Sequence, residues 1–297
     1  MSDDSLATSH YNEIGQQLLH LIEQDEIEVP MLPEVASKVV QLVQRPDSNA
    51  AALSALIQGD QVLAAKVMQI ANSALYRTGP GVDNMMSLQQ AITRLGLTLI
   101  GEVALAASIN SSMFDAPGYE QHIKKTLRRS LATGLWAKEI ARITRKNVEA
   151  AFLSGLLHDM GRPVVVQSVV AIAKSMGVTP SRDEVSALEN EYQRRIGLKV
   201  VKDWEMPTSV CEVVQYFDNY QDQAGDQTQI MIVVAGDLLA TVVGLARDET
   251  GELDMEEIAG QLLSEDVFTE LNFYPDDIDA LVQKAEQVTS TAESMSR

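Results

Sequence analysis

Apolar residues recur three and four positions apart along almost the whole chain of 297 residues. The strict alternation of a half-buried strand is missing, and so are the Asn-Gly turns that join strands into hairpins. With no sheet to pack on, each apolar stripe can be buried only against other helices, so the pattern predicts an all-α fold, a multi-helical bundle. Val35, Val39, Leu42 and Val43 form one stripe. The stretch "RPDSN" then ends that helix and offers Ser48 or Asn49 as the cap of the next, which carries Leu53, Leu56 and Ile57. "QVLAAKVMQIANSALY" is apolar on several faces, as expected of a helix packed from more than one side. "RTGPGVDNMM" reads as a loop, Ser87 as the cap of "LQQAITRLG", Gly96 as its stop, and 97–113 as a further apolar helix.

"DAPGYE" breaks the pattern again near residue 115 and predicts a seam between an N-terminal helical half and a second half. Beyond it, "QHIKKTLRRSLATGLWAKEIARITRK" is one long amphipathic helix with Leu127, Leu131, Leu135 and Ile140 inward and a basic outer face. Helices are expected over 148–158, 163–176, 182–195, 207–217 and 228–246. From Asp248 to Arg297 there are 14 acidic and 2 basic residues, a net charge of −12 out of −19, which leaves −7 for residues 1–247. That shift marks 247–297 as an acidic helical C-terminal extension. The amphipathic "QQLLHLIEQ" lies in an N-terminal helical extension, 1–29, expected to pack on the body formed by 30–246.

A charge of −19 repels phosphate backbones and anionic lipid, because binding to either relies on Lys and Arg displacing counterions. Nucleic acid and membrane are therefore not expected as partners. No apolar stretch reaches the roughly 18 to 20 residues of a membrane span. The opening "MSDDSLATSH" lacks the basic and apolar parts of a signal peptide, so the expected location is the cytoplasm. The single cysteine, Cys211 in "SVCEVV", excludes an internal disulfide and any cysteine-based zinc cluster, and it reads as an inert core thiol. Glycine-rich phosphate loops are missing. His10, His20 and His122 stand apart and are expected at the surface; Trp204 with Pro207 in "DWEMP" anchors a loop or lines a groove.

"GLLHDMGRP" places His158 beside Asp159 after an apolar run, the pairing of imidazole and carboxylate that metal sites use. From "LPEVASKVVQLVQRPDSN" through "LIQGDQVLAAKVMQIANSALY" and "SLQQAITRLG" to "FLSGLLHDMGR" and "DWEMP", the chain resembles the HDOD domain, a helical bacterial signalling module related to metal-dependent HD phosphohydrolases. The most specific piece is "IANSALY" followed at the family's interval by "SLQQAITRLG". The resemblance implies that an early His, the His-Asp pair, further His residues and a late Asp once held one or two metals. In this chain His158, Asp159 and the late Asp237 remain as a vestigial metal set. Arg129 stands at the early histidine position, Gln193 at the next, and the later histidine pair gives way to residues of "QYFDNY".

A guanidinium has no acceptor and does not deprotonate, so Arg129 puts a permanent cation where a lone pair is needed. The expectation is that Arg129 pairs with Asp159 and Asp237 as a structural substitute for the ion. No catalytic or cofactor-binding residue is then assigned. The expected function is a non-catalytic signalling module acting through protein partners with basic surfaces, as a separate subunit. The alternative is a divergent phosphohydrolase of nucleotides or cyclic dinucleotides using Mn, Fe, Zn or Mg; a pocket kept for a nucleotide ligand without chemistry is a third reading.

Overall fold

The computed structural model describes residues 4–43, 49–72, 85–250 and 253–296. They are helical with no strand among them. The first part contains α1 (Asp4–Glu23), α2 (Glu34–Val43), α3 (Ala50–Gln58), α4 (Gln61–Ala71), α5 (Leu88–Leu95) and α6 (Leu97–Ser108). The second contains α7 (Glu120–Ile143), α8 (Val148–Leu157), α9 (Gly161–Met176), α10 (Arg182–Asp203), α11 (Thr208–Tyr216) and α12 (Thr228–Thr250). The acidic C-terminal stretch adds α13 (Met255–Leu263), α14 (Asp266–Glu270), α15 (Pro275–Val282) and α16 (Ala285–Ser296).

Side-chain caps start many of these helices. Asn49 accepts from the Ala52 N–H at 2.9 Å, Ser87 from Gln90 at 3.2 Å, and Ser181 forms a reciprocal capping box with Glu184. Of the predicted loop "RTGPGVDNMM", residues 77–84 lie outside the described residues, as does Ser48. The base of that loop is described: Asn72 donates to the Met85 carbonyl at 3.0 Å and accepts from the Met85 N–H at 2.7 Å. The asparagine of "IANSALY" thus clips the end of α4 to the start of the "SLQQAITRLG" segment.

The helix expected over 97–113 stops at Ser108 instead. Ile109 turns extended, and the Asn110 side chain accepts the Ser112 N–H at 3.0 Å to start a separate 3₁₀ turn, Ser111–Met113. Two other helices run longer than expected, α10 to Asp203 and α12 to Thr250. Between α5 and α6 the chain bends by 120° at Gly96, whose φ of +92° an L side chain rarely adopts. Among the described residues no single helix is long and apolar enough to cross a membrane.

α7 runs through the second half, with Trp136, Ala137 and Ile140 fully buried, and packs on α8 and α12. Backbones approach closely where it meets α8: a Cβ on Gly155 would lie 2.6 Å from the Cα of Gly134. α1 packs on α9 and α10 through Ile14 and Leu18, both fully buried, as its amphipathic pattern requires. Trp204 donates from Nε1 to the Pro30 carbonyl at 2.8 Å and is buried, so it anchors the segment entering α2 and does not line a groove. In the C-terminal stretch α16 packs back on α7 and α6.

The α9–α10 crossing is tighter still. A Cβ on Gly161 would fall 1.9 Å from the Gln193 carbonyl oxygen and 2.6 Å from the Gly197 nitrogen, both backbone atoms. Gly161→Ala must therefore force the two helices apart, at a cost of about 3 kcal/mol or more. Gly244→Ala, exposed in α12 with nothing within 4 Å of its Cβ position, should stabilise by about 0.5 to 1 kcal/mol. Guanidinium unfolding of the two variants should show midpoints moving in opposite directions.

Candidate functional site: a buried carboxylate pair in an arginine cage

α7 carries Arg129, the C-terminal end of α8 carries His158 and Asp159, and α12 carries Asp237. The close packing of α8 and α12 on α7 brings these residues together. His158 is 1% exposed, Asp159 2% and Asp237 7%. The Gly155 carbonyl lies 2.7 Å from His158 Nδ1, and since a carbonyl only accepts, Nδ1 carries the proton and Nε2 faces the acids. Nε2 sits 3.5 Å from an oxygen of Asp159 and 3.5 Å from an oxygen of Asp237. Those distances exceed ordinary hydrogen bonds, and Nε2 has no hydrogen-bond partner.

Arg129 meets Asp237 with both prongs of its fork, Nε to Oδ1 at 2.9 Å and Nη2 to Oδ2. Thr133, one turn along α7, puts its hydroxyl 3.0 Å from the same Oδ1. The expectation that Arg129 would also bond Asp159 is corrected by the geometry. Arg129 acts on Asp159 only as a nearby charge, and the direct partners of Asp159 are two arginines that the sequence reading did not single out. Arg162 reaches it from α9 at 3.1 Å through Nε, and Arg194 from α10 at 3.2 Å through Nη1. Arg162 follows Asp159 by three residues, a spacing that brings side chains together across one helical turn, so that contact was legible in "HDMGR". Arg194 carried no local signal, because only the α9–α10 crossing delivers it.

The network extends outward. Arg194 also donates to the His158 carbonyl at 3.0 Å and holds Asp218 through Nε and Nη2 at 2.9 to 3.1 Å. Its guanidinium lies 4.3 Å from the Phe217 ring centroid, and Phe217 stacks on His158 at 4.8 Å. Phe217 and Asp218 belong to "QYFDNY", where the resemblance expects a histidine pair. Arg162 donates to Asn190 at 2.9 Å and lies 3.5 Å from Glu189. Glu189 in turn lies 2.8 Å from His122 Nε2, so His122 is a half-buried contact of a buried acid and not the isolated surface residue expected. Gln193 is buried on α10 with an unpartnered Oε1. Among the described residues no group of three or more His, Cys, Asp or Glu is arranged to hold a metal ion.

Burial pushes both carboxyls toward the neutral form, but their cationic surroundings outweigh it. Asp237 is held far below the usual carboxylate range by His158 and Arg129, and Asp159 is lowered by His158, Arg162 and Arg194 against the repulsion of Asp237. For Cys211, burial raises the thiol above its ordinary value, consistent with an inert packing role.

An all-α bundle with a His-Asp step and a distant Asp converging on one buried point defines the HD-like class of helical proteins. The chain belongs to the HDOD family: the HDOD domain matches residues 29–220. A candidate metal-dependent phosphohydrolase from Shewanella amazonensis superposes with a TM-score of 0.70 at 25% identity, covering 96% of this chain and 99% of its own. An HDOD domain protein of unknown function from Geobacter sulfurreducens gives 0.69 at 19%, covering 95% and 97%. A candidate signal transduction protein from Marinobacter aquaeolei gives 0.62 at 22%, covering 97% of this chain and 66% of its own. No curated protein matches the chain.

Because both acids are lowered in the folded state, their stabilisation is fully present above the unfolded carboxylate value, near pH 4, and is lost as the pH falls toward their depressed values. Asp237→Asn removes one such group. The stability difference between wild type and this variant should be greatest at neutral pH and shrink steadily below about pH 4, as read by urea unfolding at a series of pH values. A difference independent of pH would contradict this account of Asp237.

Proposed function

We propose that this HDOD protein is a non-catalytic regulatory module that works by protein contact, with its ancestral metal pocket converted to a fixed ionic strut. One observation carries the reading: three guanidiniums, Arg129, Arg162 and Arg194, occupy the donor oxygens of Asp159 and Asp237. A divalent ion would have to displace hydrogen bonds already made to both acids and enter beside three permanent cations. Phe217, stacked on His158, covers the imidazole from one side. The donor set therefore does not fit a divalent ion. The signal-transduction description of the Marinobacter relative is consistent with this role.

A second reading, a divergent metal-dependent phosphohydrolase, is favoured by one feature. His158 presents Nε2, fixed by a carbonyl on Nδ1 as metal-ligating imidazoles commonly are, toward one oxygen of each acid at 3.5 Å. The description of the Shewanella relative points the same way.

Elemental analysis separates the two. Protein purified without chelator from cells supplied with manganese, iron and zinc should carry far less than one ion per chain. It should also release no product from nucleotides or cyclic dinucleotides in added manganese. Near-stoichiometric metal that disappears in His158→Ala, with turnover abolished by Asp159→Ala, would overturn the regulatory reading. The partner surface is expected to be basic, so capture of a partner should weaken as salt rises from low to physiological strength.

A further inference from the structure

α7, α12 and α16 enclose a groove of about 350 Å³. Gly236 of α12 abuts Thr133 and Ala137 of α7, whereas Arg247, further along α12, meets Arg128 of α7 at Glu293 of α16. α16 likewise passes from Lys284, which bonds Glu139 of α7 at 2.6 Å, to Glu293. Thus α7 runs antiparallel to both neighbours, and residues early in α7 lie beside residues late in the other two. Cations gather at that end, Lys125 and Arg128 from α7 and Arg247 from α12. Away from them the lining is small and apolar, with Ala132, Ala240, Val243 and Val288. The groove is open at Gly244, where nothing lies within 4 Å of a Cβ position. The Trp136 ring lies beneath the wall, 1% exposed, and among the described residues no other aromatic side chain lines the groove.

The charged groups at this end are within reach of a ligand. The Arg128 and Arg247 side chains are 52% and 38% exposed, and both lean on the same oxygen of Glu293, at 3.2 and 3.6 Å. The longer contact exceeds a hydrogen bond. The chain's own carboxylate thus marks the point on which two guanidiniums converge, and it is loosely held there. We propose that the groove binds an aliphatic carboxylate, with its head on Arg128 and Arg247 in exchange for Glu293 and its chain along Ala132, Ala240 and Val243. One carboxylate replaces another, so the ion pairing changes little and burial of the hydrocarbon drives association. A nucleotide finds no accessible ring on which its base could stack and no glycine-rich loop for its phosphates. The net charge of −19 does not prevent binding, because at physiological salt charges more than about 8 Å away are largely screened and the nearby cations dominate. Arg129, which bonds Asp237, also lines the groove, so an occupant lies against the arginine cage. The inference concerns binding alone, and metal analysis of the Asp159–Asp237 pocket leaves it standing.

The probe is octanoate, titrated by calorimetry into the full chain at physiological salt, beside 1-octanol and adenosine monophosphate. Octanoate should bind saturably at one site per chain, and the other two at least about tenfold more weakly. Arg128→Gln and Arg247→Gln should each lower the octanoate affinity about tenfold, the loss of one charge-assisted hydrogen bond. Gly244→Leu places a side chain in the groove where no atom opposes it, and should weaken binding as much while circular dichroism shows a folded chain. Glu293→Gln removes the resident anion and should tighten binding. If an arginine variant fails to fold, Gly244→Leu, which gains helix propensity, decides. Equal binding of 1-octanol would mean apolar adsorption, and equal binding of adenosine monophosphate a phosphate site. Either result overturns the proposal, as does the absence of saturable octanoate binding. An affinity unchanged in folded Arg247→Gln or Gly244→Leu, or not tightened in Glu293→Gln, overturns it too.

Discussion

Two carboxylates buried side by side cannot both stay ionised without cations, and meeting that demand organises the second half of this protein. Each acid taken from water loses hydration worth several kcal/mol, and its neighbour adds repulsion. In an HD enzyme the compensating charge is a metal ion. Here it is delivered by side chains from three helices, α7 through Arg129, α9 through Arg162 and α10 through Arg194. At the edge of the network Asp218 and Glu189 take up the outward faces of Arg194 and Arg162. The charge chemistry thereby ties α7, α8, α9, α10 and α12 to one point, which a purely apolar core would not do with the same geometric specificity.

Such a network is possible only because the backbones come close enough. An arginine fork reaches a carboxylate at hydrogen-bond distance only if the helices bearing them are held at fixed separation and rotation. The Gly134–Gly155 contact sets α7 against α8, and Gly161 sets α9 against α10. A methyl group at any of these positions would move its helix, and with it the charge it carries. Apolar packing and ion pairing are therefore not independent contributions here.

Much of this was legible in the sequence, and the exceptions share a cause. Helix identity followed from a 3.6-residue period, and the caps at Asn49 and Ser87 followed from side-chain chemistry acting over three residues. Arg129, His158, Asp159 and Asp237 could be named because the family pattern aligns them, and Arg162 lay within one turn of Asp159, but the second arginine on that acid could not be read, since Arg194 meets it across 35 residues of chain. The early end of α6 turned on whether the Asn110 side chain would compete with the helix backbone, a local contest that periodicity does not register. His122 looked isolated because its partner, Glu189, lies 67 residues away on another helix.

The molecule holds a second buried charge, and the contrast between the two sites is informative. At the arginine cage each carboxylate oxygen of Asp159 and Asp237 has a cationic or hydroxyl partner, and an aromatic ring covers the imidazole. At Glu102 one oxygen is paired with Lys138 and the other is buried without a partner. A saturated network resists change, because moving any member exposes a buried charge. A buried oxygen without a donor is instead a local cost that the surrounding packing must offset. Glu102 sits on α6, which packs against α8, whose C-terminal end delivers His158 and Asp159 to the cage. A displacement of α8 at Glu102 would therefore be resisted at its other end, where Arg162 and Arg194 hold Asp159.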